Sequence, residues 1–199
     1  APIQVISVDG PRLAVIEGGT EALRIGNSNW MIWDGFEVRN SGDNVAHIDS
    51  NSTHLTFRNM YFHDAGFNGD VFKVNQCDHI TVEHSEFARP GARDPGVGNP
   101  YQECLDFVHV NDSVIRDNWF HDGGSMLMFV QGGSRNTVIE RNTYSQQRAG
   151  ASDPAVGLGG PTDLPLLQGE QYEIINGIFR NNVIMNSQVG AAAVYDANG

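Results

Sequence analysis

The sequence contains little positive charge. Its 199 residues include 12 lysines and arginines but 24 aspartates and glutamates, so the formal net charge at pH 7 is -12, and Lys73 is the single lysine. Binding to phosphates needs clustered lysine and arginine, so nucleic acid is disfavoured as a partner. No apolar run approaches the roughly 20 residues that cross a bilayer, which argues against a membrane-spanning helix.

Cysteine is also scarce. Cys77 and Cys104 are the only two, an even number that allows one bridge in an oxidising compartment. In the predicted strand register, Cys77 follows its strand and Cys104 precedes the next one, which sets them too far apart to pair. Two free, buried thiols are therefore favoured over a disulfide, and their spacing gives no sign of a zinc site.

What the sequence does contain is a repeat. Six stretches share an apolar first residue, polar residues behind it and an apolar anchor at the sixth position: 33–38, 57–62, 82–87, 115–120, 139–144 and 179–184. The anchors are Val38, Phe62, Phe87, Phe120, Tyr144 and Ile184, and their separations are 24, 25, 33, 24 and 40 residues. A period in the twenties predicts a solenoid, and the absence of a Leu-x-x-Leu-x-Leu skeleton favours stacked short strands over leucine-rich repeats.

The second position of each stretch tests this alignment, because its charge alternates along the chain: Asp34, Arg58, Glu83, Arg116, Glu140 and Arg180. If successive coils stack in parallel about 4.8 Å apart, each of these side chains lies between two of opposite charge. A solvated ladder of ion pairs explains this column better than a binding stripe does.

Asparagine and glycine mark the corners of the predicted coil. The fourth position holds Asn118, Asn142 and Asn182, and asparagine tolerates the left-handed backbone of a tight corner and forms hydrogen-bonded ladders. A glycine follows four of the anchors by four residues, at Gly42, Gly66, Gly91 and Gly124, and predicts the next corner.

These repeats resemble the right-handed parallel β-helix of the pectate-lyase-like superfamily, from about Ile25 to the end of the chain. The predicted fold is an all-β solenoid of about six coils, with long insertions at 88–103 and 146–171. Residues 1–199 form one domain, in which 1–24 supplies opening strands or a cap. Six coils are few for such enzymes, so a trimmed product or a piece of a longer β-helix is expected, and an open last coil could stack on another chain.

The resemblance implies a carbohydrate-active protein, usually secreted or periplasmic, whose polysaccharide lies along one long parallel sheet. An acidic protein that binds an acidic polymer needs local positive charge or a bridging cation, and Ca²⁺ held by carboxylate oxygens is the usual solution. Ca²⁺ is therefore the expected cofactor.

Lys73 is the leading site residue. Its strand alternates so that Phe72 and Val74 face the core and Lys73 faces outward. Counting from the anchors places Asp49 one coil below Lys73, and counting back from Ile115 places Asp106 one coil above it.

Several lyases of the resembled superfamily use an outer-sheet lysine or arginine to remove the proton beside a uronate carboxylate while Ca²⁺ stabilises the enolate. By that resemblance Lys73 is the candidate base, and His109 is a second one because histidine titrates near neutrality. The candidate cation ligands are Asp49, Asp70, Glu103 and Asp106. Two other roles stay open for Lys73, a plain ion pair and a contact to a substrate carboxylate, because neighbouring carboxylates raise the pKa of an amine.

The two insertions are expected to wall a cleft beside this sheet. Arg89, Arg93, Tyr101 and Arg148 could there contact an anionic sugar, although a merely exposed loop is equally compatible with them. The pairs 63–64 and 121–122, both His-Asp, are expected at a corner away from the outer sheet, with structural hydrogen bonds.

One departure from a known family is clear. Residues 125–138 are similar to a stretch of the alginate lyase and chondroitinase B family, in which the strand carries a catalytic arginine and the preceding coil a lysine. Here those places hold Val130 or Gln131, and Val108 or His109. That catalytic pair is not present.

Three functions remain open at this point. A Ca²⁺-assisted lyase acting on an acidic polysaccharide is the first hypothesis. A glycoside hydrolase using two of the four acidic residues above would need carboxylates about 5 to 9 Å apart. A non-catalytic glycan-binding or structural solenoid is the third.

Overall fold

The computed structural model describes residues 1–91 and 102–198, and these contain 23 β-strands, numbered β1 to β23 in chain order, and no helix. All of the strand pairs are parallel, which is the geometry of stacked coils. The fold is the predicted one, an all-β parallel β-helix in which each coil contributes strands to three faces.

Seven strands form the outer face, which carries Lys73: β3 (Leu23–Gly26), β6 (Ala46–Asp49), β9 (Phe72–Glu83), β11 (Leu105–Asn111), β14 (Met128–Gln131), β18 (Val156–Leu158) and β22 (Ala192–Val194). The second face consists of β1 (Ile3–Ile6), β4 (Asn29–Asp34), β7 (Thr53–Arg58), the end of β9, β12 (Val114–Arg116), β16 (Val138–Glu140) and β20 (Ile178–Arg180). Because β9 continues around the corner, these two faces form one 13-stranded sheet.

The third face is a separate seven-stranded sheet: β2 (Ala14–Glu17), β5 (Phe36–Arg39), β8 (Tyr61–His63), β10 (Glu86–Ala88), β13 (Trp119–His121), β17 (Thr143–Ser145) and β21 (Val183–Met185). A short ladder of β15 (Ser134–Arg135), β19 (Ile174–Ile175) and β23 (Ala197–Asn198) widens one corner.

The anchors stack in the predicted register along the third face. Phe62 lies under Phe87, Phe87 under Phe120 and Phe120 under Tyr144, with ring centroids 5.3, 4.8 and 5.1 Å apart. All four rings are fully buried. The core is therefore a narrow column of stacked side chains, and its aromatic part supplies much of the apolar area that folding removes from water.

The charged column is also in the predicted register, and each arginine forms an ion pair with the acid of the coil before it. Arg58 pairs with Asp34 at 2.7 Å, Arg116 with Glu83 at 2.6 Å and Arg180 with Glu140 at 2.7 Å. The arginines are more than a third exposed, so each pair contributes little. This is the solvated ladder that the sequence predicts.

The asparagines form a buried ladder, but they do not make the corner. Asn142 Oδ1 accepts hydrogen bonds from the backbone and side-chain N–H groups of Asn118, both at 3.0 Å, and Asn142 Nδ2 donates to the carbonyl of Ile115 at 2.9 Å. The left-handed residue is one position earlier in all six stretches: Gly35, Asn59, His84, Asp117, Arg141 and Asn181. The prediction that the asparagines at the fourth position form a ladder is confirmed. The prediction that they make the turn is wrong.

The next corner also differs from the prediction. A left-handed residue comes two positions after every anchor, at Asn40, Asp64, Arg89, Asp122, Gln146 and Asn186. Gly66, one of the glycines expected to make this turn, serves a different purpose. A Cβ at this position would lie 1.9 Å from the carbonyl oxygen of Gly42. Gly66 is required because two backbones approach closely there.

The two ends of the pattern extend what the repeat predicts. Within 1–24, β1, β2 and β3 pair in parallel with β4, β5 and β6, so these are strands of an additional coil. The expected insertion 146–171 is shorter than predicted because β18 lies inside it and pairs with β14. Of the other insertion, 92–101 lies outside the described residues.

Both cysteines are free and buried, as predicted. Burial raises the pKa of the Cys77 thiol to about 12, so this thiol stays protonated and unreactive at neutral pH. Among the described residues, no helix is long and apolar enough to cross a membrane.

The asparagine ladder predicts a stability effect. Asn142→Leu should lower the free energy of unfolding by about 2 to 4 kcal/mol, because it leaves the amide groups of Asn118 and the carbonyl of Ile115 without partners. Thr143→Val, one residue later on the outward side of β17, should change it by no more than about 0.5 kcal/mol. Urea denaturation of both variants checks this, and equal effects would contradict a structural ladder.

Candidate functional site

Lys73 faces outward from β9, as the alternation predicts. Phe72 and Val74 on either side of it are fully buried, while the Lys73 side chain keeps 23% of its surface exposed. The coil above supplies Asp106 directly opposite Lys73, again as predicted. The coil below supplies His47, and not Asp49, at the equivalent place.

Three carboxylates surround the ammonium group. Lys73 Nζ forms an ion pair with Asp106 Oδ2 and lies 3.3 Å from Asp70 Oδ2. Asp70, Glu103 and Asp106 each place a carboxylate oxygen within 4.8 Å of the other two. Asp70 and Asp106 are buried, and Glu103 is half-buried. We call Lys73 and these three acids the lysine–carboxylate cluster.

The cluster shifts the pKa of its members in a consistent way. Burial opposes the charged form of Lys73, but the negative charges of Asp106 and Asp70 outweigh burial and raise its pKa. Burial and the charges of Asp70 and Asp106 raise the pKa of Glu103 well above its usual value. Burial also raises the pKa of Asp106, against the opposing effect of Lys73. One lysine is therefore too little positive charge for three acids.

Hydrogen bonds hold the acids in place. The backbone N–H of Glu103 donates to Asp70 Oδ1 at 2.9 Å, and Gln131 Nε2 donates to Asp106 Oδ1 at 3.0 Å. The hydroxyl of Thr162 lies 2.9 Å from Gln131 Oε1 and 2.6 Å from Glu173 Oε2, two acceptors for its single hydrogen. Thr162 belongs to the loop after β18, so this chain of contacts ties the cluster to the loop.

The same loop walls a cavity beside the cluster. Leu166 faces a space of about 320 Å³ whose other walls come from the outer face: His47, Asp49, Ser50, Lys73, Asn75, Gln76 and Val108. Glu173 fixes the base of the loop by accepting the N–H groups of Gly132 at 2.7 Å and Thr162 at 2.8 Å. The second insertion thus walls a cleft at Lys73, as predicted.

Asp49 lies outside the cluster, contrary to the prediction. It pairs with Arg24, and its Oδ1 accepts a hydrogen bond from Ser50 at 2.9 Å. The register differs by two residues because the corner before β9 is longer than the corner before β6: ten residues separate Phe62 from Phe72, but eight separate Val38 from Ala46. An even offset keeps Lys73 pointing outward while changing its neighbour.

His47 is the functional candidate that the sequence did not indicate. Its Nδ1 lies 2.5 Å from Glu21 Oε1, and its Nε2 lies 3.1 Å from Asn75 Nδ2. The alternation of side chains along β6 could have indicated it, because His47 and Asp49 lie on the same, outward side of that strand.

The second candidate base lies apart from Lys73. His109 has a left-handed backbone, and its Nδ1 contacts the carbonyl of Gly132 at 3.0 Å. It borders a different cavity, of about 120 Å³, with Gln168 and Asp78 among its neighbours. A role for His109 in removing a proton at Lys73 has no support from this geometry.

The predicted sugar-binding arginines are also elsewhere. Arg89 pairs with Asp64 at 2.6 Å and contacts Tyr61, because β10 carries it to the corner after the third face. Arg148 donates to the carbonyl of Pro90, and burial lowers its pKa. Neither lines the cavity at Lys73, and Arg93 and Tyr101 lie outside the described residues.

The two His-Asp pairs lie on the third face, as expected, with structural hydrogen bonds. His63 bridges Asp64 at 2.6 Å and Glu37 at 3.0 Å. His121 bridges Asp122 at 2.7 Å and Glu86 at 3.1 Å. Both histidines are buried.

Comparison with solved structures finds one that shares the fold. The chain is similar to an alginate lyase from Paenibacillus sp. str. FPU-7, with a TM-score of 0.53 and 13% sequence identity over 100% of this chain and 84% of the other. At that identity the similarity concerns the fold. No protein-family model and no curated protein matches the sequence.

The buried ion pair predicts how stability responds to Lys73. Lys73→Met should lower the free energy of unfolding by about 3 to 5 kcal/mol, because Asp106 stays buried without its cation. Since the folded pKa of Lys73 is raised, its contribution should be complete below about pH 10 and decline above it. Denaturation of both proteins from pH 7 to pH 11 measures the difference.

A matched control separates this buried pair from the exposed ladder. Arg58→Met removes a cation from its pair with Asp34 on the second face, and should cost at most about 1 kcal/mol. A similar cost for both variants would mean that the Lys73 pair behaves as an ordinary surface ion pair.

Proposed function

We propose that the protein is a polysaccharide lyase that cleaves an acidic, uronate-containing polymer by β-elimination at the cavity beside Lys73. The observation that carries this proposal is the lysine–carboxylate cluster, whose Lys73 lines a walled cavity on the long outer face. The shared fold with an alginate lyase supports the same class of substrate. A secreted or periplasmic location belongs to this proposal, because such polymers are extracellular.

The reaction requires positive charge at one place. The C5 hydrogen of a uronate is weakly acidic, and removing it puts negative charge on the adjoining carboxylate. Lys73 is the ammonium group that the cavity offers, and its raised pKa keeps it protonated. In this proposal Lys73 therefore neutralises the substrate carboxylate, whereas acting as the base would first require release from Asp106 and Asp70.

The cluster also suits a cation. Asp70, Glu103 and Asp106 each offer one hard oxygen donor, and these three oxygens lie within 4.8 Å of one another, which is the chemistry that Ca²⁺ prefers. When bound, Ca²⁺ would supply further positive charge to stabilise the enolate. These three residues would hold it, and Lys73 would then be free to turn toward the cavity.

A hydrolase is the second candidate, because one observation favours it. Glu103 has a raised pKa, as a general acid needs, and it lies beside two further carboxylates. Oxygens within 4.8 Å suit the roughly 5 Å spacing of a retaining enzyme and not the wider spacing of an inverting one. The raised pKa of Lys73 is irrelevant to that mechanism.

The two candidates differ in their product. With alginate, polygalacturonate or chondroitin sulfate, a lyase should raise the ultraviolet absorbance as unsaturated uronate forms, and a chelator or Lys73→Met should abolish the rise. A hydrolase would release reducing ends without any absorbance. Reducing ends in the absence of absorbance would exclude the lyase, and neither signal on any acidic polymer would contradict both enzymes.

Ca²⁺ binding is checked separately by calorimetry. Asp106→Asn should weaken binding at least about tenfold, because the site loses one charged ligand. Asp49→Asn is the matched control on the same face, and it should leave Ca²⁺ affinity unchanged because Asp49 pairs with Arg24. Equal Ca²⁺ affinities in the two variants would mean that the cation does not bind to this cluster.

A further inference from the structure

We propose that His47, held by Glu21, is the catalytic base of the outer-face cavity. This inference rests on the proposed lyase function and adds a residue to it. The lysine–carboxylate cluster and His109 leave the reaction without a base. Lys73 keeps its proton and His109 borders another cavity, so neither accepts a proton from a substrate at Lys73.

The hydrogen bonds of His47 fix its tautomer. Burial opposes the charged form of Glu21, but hydrogen bonds from Arg24 and His47 outweigh burial and lower its pKa, so Glu21 is a carboxylate that only accepts. The Nδ1 of His47, 2.5 Å from Glu21 Oε1, therefore carries the ring hydrogen. Its Nε2 is left with a lone pair, and Asn75 Nδ2 donates to it at 3.1 Å.

Glu21 is itself held in place. Its other oxygen, Oε2, accepts a hydrogen bond from Arg24 Nη1 at 2.7 Å. Arg24, Glu21 and His47 thus form a chain in which a carboxylate orients an imidazole, the arrangement by which proteins position a histidine base. The Glu21 and His47 side chains are only 14% and 16% exposed, so water competes little for the contact.

The position of His47 on the sheet suits the reaction. Arg24, His47 and Lys73 occupy successive strands at one register position, so their backbones are about 4.8 Å apart. His47 thereby stands between two cations on the face of an acidic protein. A uronate carboxylate neutralised by Lys73 would bring its own C5, which is bonded to that carboxylate, next to the imidazole.

The proton transfer is balanced within the site. His47 Nε2 takes the C5 hydrogen as a proton, and the C–H electron pair forms the C4–C5 double bond while the bond from C4 to the glycosidic oxygen breaks. The leaving oxygen takes up the proton from the imidazolium, which restores neutral His47. Asn75, whose N–H points at Nε2 in the structure, occupies the position that the substrate hydrogen would take.

Two readouts test the assignment, and the first does not require activity. Long-range proton–nitrogen spectra of the histidine rings should show His47, identified by its loss in His47→Gln, as the Nδ1–H tautomer. Glu21→Gln should convert this signal to a mixture of tautomers, because a neutral amide both donates and accepts. An Nε2–H tautomer in the wild-type protein would overturn the proposal.

The second readout is kinetic, with alginate, polygalacturonate and chondroitin sulfate as substrates. His47→Gln should lower kcat by about 10² to 10⁴-fold, the usual contribution of a general base. Glu21→Gln should lower kcat at least about tenfold with little change in KM. His84→Asn is the matched control, since His84 is exposed on the far side of the coil and asparagine occupies that corner in two other repeats.

The outcomes keep the two proposals apart. If the wild-type protein forms no unsaturated uronate from any polymer, the lyase function is wrong and the role of His47 is wrong with it. If the wild-type protein is active and folded His47→Gln retains that activity, only the base has been misassigned. Loss of activity in His109→Gln but not in His47→Gln would overturn the proposal in favour of the other histidine.

Discussion

The parallel stacking of coils is the constraint on which the rest of the molecule depends. Each strand pairs with the equivalent strand one coil away, so side chains at equivalent strand positions lie about 4.8 Å apart. Identical neighbours are favourable when they are aromatic or amide groups and unfavourable when they carry like charges. The buried aromatic anchors, the asparagine ladder and the alternating ion pairs are three solutions to this one requirement.

The outer face uses the same stacking to assemble a site from residues far apart in sequence. Arg24, His47, Lys73, Asp106 and Phe129 occupy five consecutive strands at one register position. None of these residues has a neighbour of its own kind, in contrast to the aromatic and asparagine columns that stabilise the coil. The loop after β18 covers part of this column, and the chain from Thr162 through Gln131 to Asp106 connects loop and cluster. Fold and site therefore share one framework.

The fold could be predicted from the sequence because its signals are periodic. The six anchors and the six alternating charges fixed the register of two faces without any structural information. The candidate site was predicted only in part. The sequence correctly predicted that Asp70, Glu103 and Asp106 are neighbours of Lys73. It wrongly placed Asp49, instead of His47, beside Lys73. Corner lengths vary without a sequence signal, and a two-residue difference in length leaves the same side chains facing outward. The sequence did not indicate Glu21 and Asn75, because their role depends on contacts across coils.

The balance of charge distinguishes the lysine–carboxylate cluster from the structural ion pairs. On the second face each of the three arginines pairs with an acid and remains more than a third exposed. On the outer face one lysine pairs with two of three clustered acids, and burial together with neighbouring negative charge raises the pKa of Glu103 and of Asp106. Such a cluster is a poor way to stabilise a solenoid, because uncompensated buried charge costs folding free energy. A divalent cation or an incoming ligand group would balance it, so its cost in stability is better explained by binding or catalysis than by the fold.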